Sequence, residues 1–262
     1  MTQIVFDTAR GKAMEKNYLS PDLIAQRVRT LDLLAPRLGE HILDIGVGPG
    51  LLAYDLARLV GPDGRVVGVD VSADMVALAG TRLGDMAQVE LTVGDAVRLP
   101  VPDGAFDAAV STQVYEYVPD MPAALAELHR VLKPGGRALI LDTDWRSIVW
   151  HSSDKARMER VLTAWDDHLA DPHLPATLGP LMSRAGFTVR RVEITPMLSP
   201  QWQPTGYAAN MMHQVYAFAR DNGARHGVSP AEAAAWRDDQ LRLGEAGEFF
   251  FSLNRYIFVA TR

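Results

Sequence analysis

Short apolar runs alternate with helical stretches between residues 40 and 142, and this alternation limits the chain to few folds. The apolar runs are His41–Val47, Arg65–Asp70, Gln88–Val93, Phe106–Ser111 and Arg137–Asp142. The helical stretches between them include Leu51–Leu59, Ser72–Leu83 and Pro122–Leu132. Strands that alternate with helices form βαβ units, so the pattern predicts an α/β domain with a doubly wound, mostly parallel sheet.

The alternation loosens after Asp142. Helical stretches at about 154–169 and 176–185 lead to a strand at Thr188–Ile194, and a long final strand covers Glu248–Thr261. Residues 195–247 contain Pro196, Pro200 and Pro204 and two helical stretches. We expect this segment to be a helical insertion over the sheet, because the last strand must return to the sheet. Near the N-terminus, Ser20 and Pro21 predict the start of an amphipathic helix.

Composition excludes several classes of protein. The chain has 262 residues with no cysteine, so disulfides, thiolate nucleophiles and cysteine-ligated metal sites are impossible. With a net charge of −6, the chain lacks the excess of basic residues that is typical of a nucleic-acid binder. The opening residues contain no signal-peptide pattern, and no apolar run is long enough to span a membrane. We therefore expect a soluble, cytoplasmic protein with neither a nucleic-acid nor a membrane partner.

The turn after the first strand is rich in glycine. Asp44 is followed by Gly46, Gly48 and Gly50 in the segment LDIGVGPG. Glycine permits positive φ and lets a ligand approach the backbone, and this turn lies at the sheet edge where open α/β sheets bind ligands. The spacing differs from the dinucleotide pattern G-x-G-x-x-G. The adjacent acid favours a cationic or hydrogen-bond-donating ligand.

These motifs together resemble the class I S-adenosylmethionine-dependent methyltransferases. The segment LDIGVGPG corresponds to the family's first motif, Asp70 ends the second strand in VVGVD, and Asp95 follows the third in VGDA. The stretch from Leu99 to Ile140 is similar to the ubiquinone/menaquinone-biosynthesis branch. The resemblance covers about residues 40–142 and implies a seven-stranded Rossmann-like sheet with an antiparallel last strand.

The resemblance also implies S-adenosylmethionine as cofactor and S-adenosylhomocysteine as product. Asp70 would hold the ribose hydroxyls, Asp95 would contact the adenine amino group, and Ser111 and Gln113 would line the methionine portion unless they only pack the turn. The expected cofactor-binding residues are Tyr18, Asp44, Gly46, Gly48, Gly50, Asp70, Val71, Met75, Asp95, Ala96, Ser111 and Gln113. The whole chain, 1–262, would form one domain with a helical lid (1–38), a cofactor-binding core (39–145) and a substrate-side region (146–262).

The acceptor side is less constrained. Aromatic and methionine residues favour an apolar or aromatic acceptor, and we expect it to contact Tyr115, Tyr117, Trp145, Trp150, Tyr207 and Met211. His151 is the first candidate for a general base and His213 the second, since a histidine accepts a proton near neutral pH. Asp142 and Asp144 lack a third ligand, so we expect no metal.

Other functions stay open at this point. The chain could bind the same cofactor without transferring methyl, as a cyclase, a decarboxylase or a binding protein. An NAD-dependent oxidoreductase is a further alternative, because Asp70 suits either ribose; the glycine spacing argues against it. The methyl-accepting atom (oxygen, nitrogen or carbon) is undetermined, and a homodimer is left open.

Overall fold

A computed structural model describes residues 18–262, so residues 1–17 of the expected lid at 1–38 lie outside the described residues. Within that range one sheet contains seven strands in the order β3-β2-β1-β4-β5-β7-β6. The strands are β1 His41–Ile45, β2 Arg65–Asp70, β3 Val89–Val93, β4 Phe106–Thr112, β5 Leu132–Trp150, β6 Thr188–Ser199 and β7 Phe251–Thr261.

Eight α-helices connect or cover these strands in the described range. They are α1 Pro21–Leu34, α2 Leu51–Val60, α3 Ala73–Leu83, α4 Met121–Val131, α5 Lys155–Asp166, α6 Pro175–Arg184, α7 Tyr207–Asn222 and α8 Pro230–Glu245. Short 3-10 turns occupy Tyr115–Tyr117 and Gly223–His226. No helix among residues 18–262 is long and apolar enough to cross a bilayer.

Strand directions follow the prediction. β1 pairs in parallel with β2 and β4, and β4 pairs in parallel with β5. β7 runs antiparallel to both β5 and β6. The carboxyl ends of β1, β2, β4 and β5 therefore meet at one edge of the sheet, and the loops that follow them can build a common site. The predicted doubly wound sheet with an antiparallel last strand is confirmed.

Two strands are longer than the apolar runs suggested. β5 continues from Asp142 to Trp150, and β6 continues from Ile194 to Ser199. The first residues of the expected insertion, 195–199, therefore belong to the sheet. Pro196 is tolerated because β6 is an edge strand, which needs no backbone N–H on its free side. The remaining insertion contains α7 and α8, as expected.

A second hydrophobic core covers the substrate-side half of the sheet. We call it the aromatic layer. Its buried members include Trp145, Trp150, Met158, Trp165, Tyr207, Met211, Trp236 and Phe251. Trp236 is fully buried, donates from Nε1 to Met158 Sδ at 3.2 Å, and meets Trp150 edge-on with ring centroids 5.3 Å apart. Helices α5, α7 and α8 are thus fixed to the extended parts of β5 and β7.

We predict that Trp236→Ala destabilises the fold by about 3–5 kcal/mol, because it removes a large buried side chain and leaves a cavity. Urea unfolding gives the free energy directly. Tyr54→Ala on α2, where the tyrosine is 37% exposed, serves as control and should cost much less. Equal losses for the two variants would contradict a tightly packed aromatic layer.

Candidate functional site

The glycine-rich loop between β1 and α2 has the backbone conformation that glycine makes available. Gly46, Gly48 and Gly50 have φ values of +77°, +50° and +80°. A Cβ on Gly46 would lie 2.1 Å from Val114 Cγ2, so this position admits no side chain. At Gly48 the corresponding space is open, with the nearest atom 4.0 Å away. The loop therefore presents bare backbone to any molecule bound above it.

Asp70 closes one side of this loop. Its Oδ2 accepts a hydrogen bond from Gly48 N and its Oδ1 accepts one from Ser72 N, both at 2.9 Å. Burial raises the pKa of Asp70, and these backbone bonds oppose the rise. Each carboxylate oxygen can accept more than one bond, so the group is held in place while keeping capacity for two neighbouring hydroxyls.

Asp44 lies on β1 directly beneath the loop. It is 1% exposed, and its Oδ2 has no hydrogen-bond partner among residues 18–262. Burial, and to a lesser extent the charge of Asp70, raise the pKa of Asp44 to about 7. A buried carboxyl oxygen without a partner is uncommon and calls for an explanation. A bound donor or cation would supply the missing partner.

A cavity opens between the glycine loop and helix α1. Its lining includes Tyr18, Gln26, Gly46, Gly48 and Thr112. The charges of Asp70, Glu116 and Arg255 act on the hydroxyl of Tyr18, and burial raises the pKa of this hydroxyl to about 12. Tyr18 thus lies between the glycine loop and a second group of polar residues, Ser111, Gln113 and Glu116, farther along the sheet edge.

Gln113 and Ser111 begin this second group at the end of β4. Gln113 has a φ of +60°, which is rare outside glycine and marks a constrained position. Its Oε1 accepts a hydrogen bond from Thr143 Oγ1 at 2.9 Å, whereas its Nε2 is buried without a partner in the described chain. The hydroxyl of Ser111 is likewise buried and unpaired within residues 18–262.

Glu116 is a site residue that the sequence reasoning missed. It is 1% exposed and accepts bonds from Thr143 N at 3.1 Å and Trp145 Nε1 at 3.3 Å. Burial outweighs these bonds and the charge of Arg255, and it raises the pKa of Glu116 to about 7. A signal was present, since this acid follows the fourth apolar run, at the sheet edge where open α/β sheets bind ligands.

Four predicted site residues are exposed in the described structure. His151 is exposed at the end of β5, and His213 is exposed on the outer side of α7. Val71 is 64% exposed, and Asp95 is exposed in a turn where its Oδ1 accepts a bond from Val97 N at 3.1 Å. The geometry lends no support to either histidine as a base. Their roles stay predictions.

The predicted acceptor residues divide into two groups. Tyr115 is fully buried behind the loop after β4, and Tyr117 is half-buried nearby. Tyr207, Met211 and the two tryptophans lie in the aromatic layer. Trp150 packs edge-on against Trp236 and Phe251, so it serves the core at the far end of β5. Met75 and Ala96, two of the expected cofactor-binding residues, are buried.

The two aspartates Asp142 and Asp144 lie within β5 and have separate partners. Asp142 accepts a bond from Val114 N at 3.0 Å, and burial raises its pKa. Asp144 lies 2.6 Å from Nδ1 of His173, a half-exposed histidine that sequence reasoning did not single out. Within the described range no three His, Asp or Glu side chains are grouped to hold a metal ion.

We predict that Asp44→Asn flattens part of the pH dependence of stability. The pKa of Asp44 is about 7 in the folded chain, above the value of 3.8 in the unfolded chain. The stability that this carboxyl contributes is therefore fully present below about pH 4 and is lost as the pH rises through about 7. Asn cannot ionise, and the variant should gain stability over the native chain near neutral pH, by at most about 4 kcal/mol.

Urea unfolding at about pH 5 and about pH 8 measures this change. Asp63→Asn, an exposed carboxyl at the opposite edge of the sheet, is the matched control and should leave the pH dependence unchanged. An unaltered slope in Asp44→Asn would show that this carboxyl ionises normally in the folded chain.

Comparison with known proteins adds a family to this geometry. Residues 43–140 match the model of the methyltransferase domain family. An uncharacterized 37.1 kDa protein in transposon TN4556 of Streptomyces fradiae is 35% identical over 238 residues, which are 88% of this chain and 65% of that protein. The 2-phytyl-1,4-naphtoquinone methyltransferase of Synechococcus elongatus is 44% identical over 111 residues, 41% of this chain and 48% of that enzyme.

The chain thus matches about two thirds of the length of the first relative and about half of the second. Among solved structures, Haemonchus contortus phosphoethanolamine N-methyltransferase 2 in complex with S-adenosyl-L-methionine has a TM-score of 0.62 at 22% identity, over 97% of this chain and 57% of that one. At 22% identity, this likeness shows a shared fold and nothing further. Taken with the sheet order and the glycine loop, the match identifies residues 43–140 as a methyltransferase domain of the class I, S-adenosylmethionine-dependent type, which is similar over 111 residues to a quinone methyltransferase.

Proposed function

We propose that this protein transfers a methyl group from S-adenosylmethionine to a small, quinol-like aromatic acceptor. The observation that carries the proposal is the pair of carboxyls at the glycine loop, of which Asp44 is buried and Asp70 is half-buried. Asp70 is fixed by Gly48 N and Ser72 N, and the Oδ2 of Asp44, beneath the same loop, has no partner among residues 18–262. Both features fit a ligand that offers hydroxyl and cationic groups together, as this cofactor does.

The residues present fit the cofactor in distinct ways. Asp70 would accept hydrogen bonds from the ribose hydroxyls, since a carboxylate at a strand end can accept two such bonds with charge assistance. Gly48 leaves space for close approach to the backbone. Asp44 would pair with a donor or positive group of the ligand, and binding would then favour its charged form.

When bound, S-adenosylmethionine supplies a methyl group on a positively charged sulfur, which an acceptor atom takes by in-line displacement. The task of the chain is to hold the acceptor in line and to exclude water. Tyr18 and Gln26 wall the cavity on the side of α1, and the aromatic layer shields the sheet beyond it. Glu116, with a pKa near 7, is placed to exchange a proton at this edge.

The quinol-like acceptor is inferred from the naphthoquinone methyltransferase relative together with this chain's aromatic layer. The position of Tyr207 and Trp145 in that layer favours a flat aromatic ring over an aliphatic acceptor. A role in small-molecule biosynthesis follows from the same reasoning. Cytoplasmic location and oligomeric state stay predictions.

We predict that the chain binds S-adenosylmethionine and that Asp70→Asn weakens binding roughly 10–100-fold, because hydrogen bonds to a charged group contribute about 1.5–3 kcal/mol. Titration calorimetry with S-adenosylmethionine, S-adenosylhomocysteine and NADH measures the affinities. Asp63→Asn should bind like the native chain. Binding of NADH in place of S-adenosylmethionine would overturn the cofactor assignment.

Methyl transfer itself needs a second measurement. Methyl-labelled S-adenosylmethionine is incubated with a panel of reduced naphthoquinones and phenols, and the label is traced into the product. We expect label in the aromatic product and S-adenosylhomocysteine in equal amount. Tight cofactor binding without label transfer to any acceptor would favour the cyclase, decarboxylase or binding roles.

A further inference from the structure

Arg255 is a buried cation on the central part of β7. It is 5% exposed, and its guanidinium is always protonated in proteins. Its terminal nitrogens donate to Gln26 Oε1 at 2.5 Å and to Tyr207 Oη at 3.0 Å. Both acceptors are neutral, and among residues 18–262 no carboxylate lies within 4.0 Å to form an ion pair with it.

The third donor of this guanidinium is unused. Arg255 Nε is buried and has no hydrogen-bond partner among the described residues. Leaving a donor on a buried charge without a partner costs more than leaving a neutral one, so native structures rarely do it without a functional reason. The charge of Glu116 acts on Arg255, but Glu116 Oε2 accepts its hydrogen bonds from Thr143 N and Trp145 Nε1.

A second unused donor lies on the same face of the sheet. Arg255 is the direct cross-strand partner of Thr143, so their side chains project from one face, with Cβ atoms roughly 5 Å apart. Thr143 in turn donates to Gln113 Oε1, which leaves Gln113 Nε2 buried and unpaired within the described chain. The two unpaired donors therefore flank a single threonine.

This place adjoins the cavity at the glycine loop. Gln26, which accepts a bond from Arg255, is part of the cavity wall, and Tyr18 borders both the loop and the guanidinium. The guanidinium is thus about one side chain's length from the space assigned to the cofactor. A group bound at Arg255 would stand on the acceptor side of that space.

We propose that Arg255 Nε and Gln113 Nε2 together bind an ionised ring oxygen of the acceptor, a phenolate. The inference rests on the proposed function and deepens it, since it assigns the charge state of the acceptor and the residues that recognise it. One negative oxygen would satisfy both donors and compensate the buried guanidinium, which neutral partners alone do not. A neutral ether or ketone oxygen would satisfy the donors without compensating the charge.

The probe for this test is 4-nitrophenol, whose phenol and phenolate forms absorb at different wavelengths. It is titrated into the full chain loaded with S-adenosylhomocysteine, at a pH below the probe's own pKa. We expect the phenolate band to grow on binding, because Arg255 stabilises the anion. Arg255→Met should weaken binding roughly 10–100-fold and abolish the band.

Three further variants make the outcome specific. Arg255→Lys keeps the charge but loses Nε, so it should bind the probe more weakly than the native chain and retain part of the band. Gln113→Asn keeps an amide and tolerates the left-handed backbone, yet withdraws the donor by one methylene, and should weaken binding several-fold. Arg190→Met, an exposed arginine on β6, is the matched control and should change nothing.

Calorimetry with S-adenosylhomocysteine on every variant separates the two proposals. Unchanged cofactor affinity with lost phenolate binding in Arg255→Met supports the inference and also excludes misfolding. Probe binding as neutral phenol, or full phenolate binding in both Arg255→Met and Gln113→Asn, would overturn the inference while leaving methyl transfer intact. If the proposed function is wrong, calorimetry should instead find that the native chain does not bind S-adenosylhomocysteine.

Discussion

The balance of buried charge at the carboxyl edge of the sheet governs this site. Asp44, Glu116 and Asp142 are buried there, and Asp70 is largely so. Arg255 is the buried cation that shares their surroundings in the described chain. Ionised carboxyls repel one another in a poorly solvated place, and burial raises the pKa of each of these four acids. A ligand that brings positive and hydrogen-bond-donating groups to these carboxyls would therefore reduce the repulsion at this edge.

This imbalance explains why the site costs stability in the absence of ligand. Asp44 and Glu116, each with a pKa near 7, oppose folding most when both are ionised. The compensating stability comes from packing elsewhere. The aromatic layer around Trp236 fixes α5, α7 and α8 onto β5 and β7, and thereby holds Arg255 and Thr143 side by side. The aromatic layer thus maintains the arrangement of Arg255 and Thr143 at the carboxyl edge of the sheet.

The sheet was predictable to a large extent, and so were the glycine loop and the position of Asp44 and Asp70 beside it. Each βα unit carries its own local signals, such as the Ser72 cap that accepts a bond from Met75 N and the glycines that end β1. Strand ends were less predictable. β6 passes through Pro196 because an edge strand tolerates a missing N–H, and local sequence does not reveal which strand lies at an edge.

The sequence by itself determined the order of strands and helices, the glycine loop and the acids at the ends of β1 and β2, because these depend on residues that are neighbours in the chain. Only the tertiary structure decided which residues on the acceptor side meet. Gln26, Gln113, Thr143 and Arg255 come from four separate elements, and the hydrogen bonds and strand pairing that join them span up to 229 positions. It also placed His151 and His213 on the surface. A histidine's type suggests a base, but its exposure follows from helix phase and strand length, which long-range packing sets.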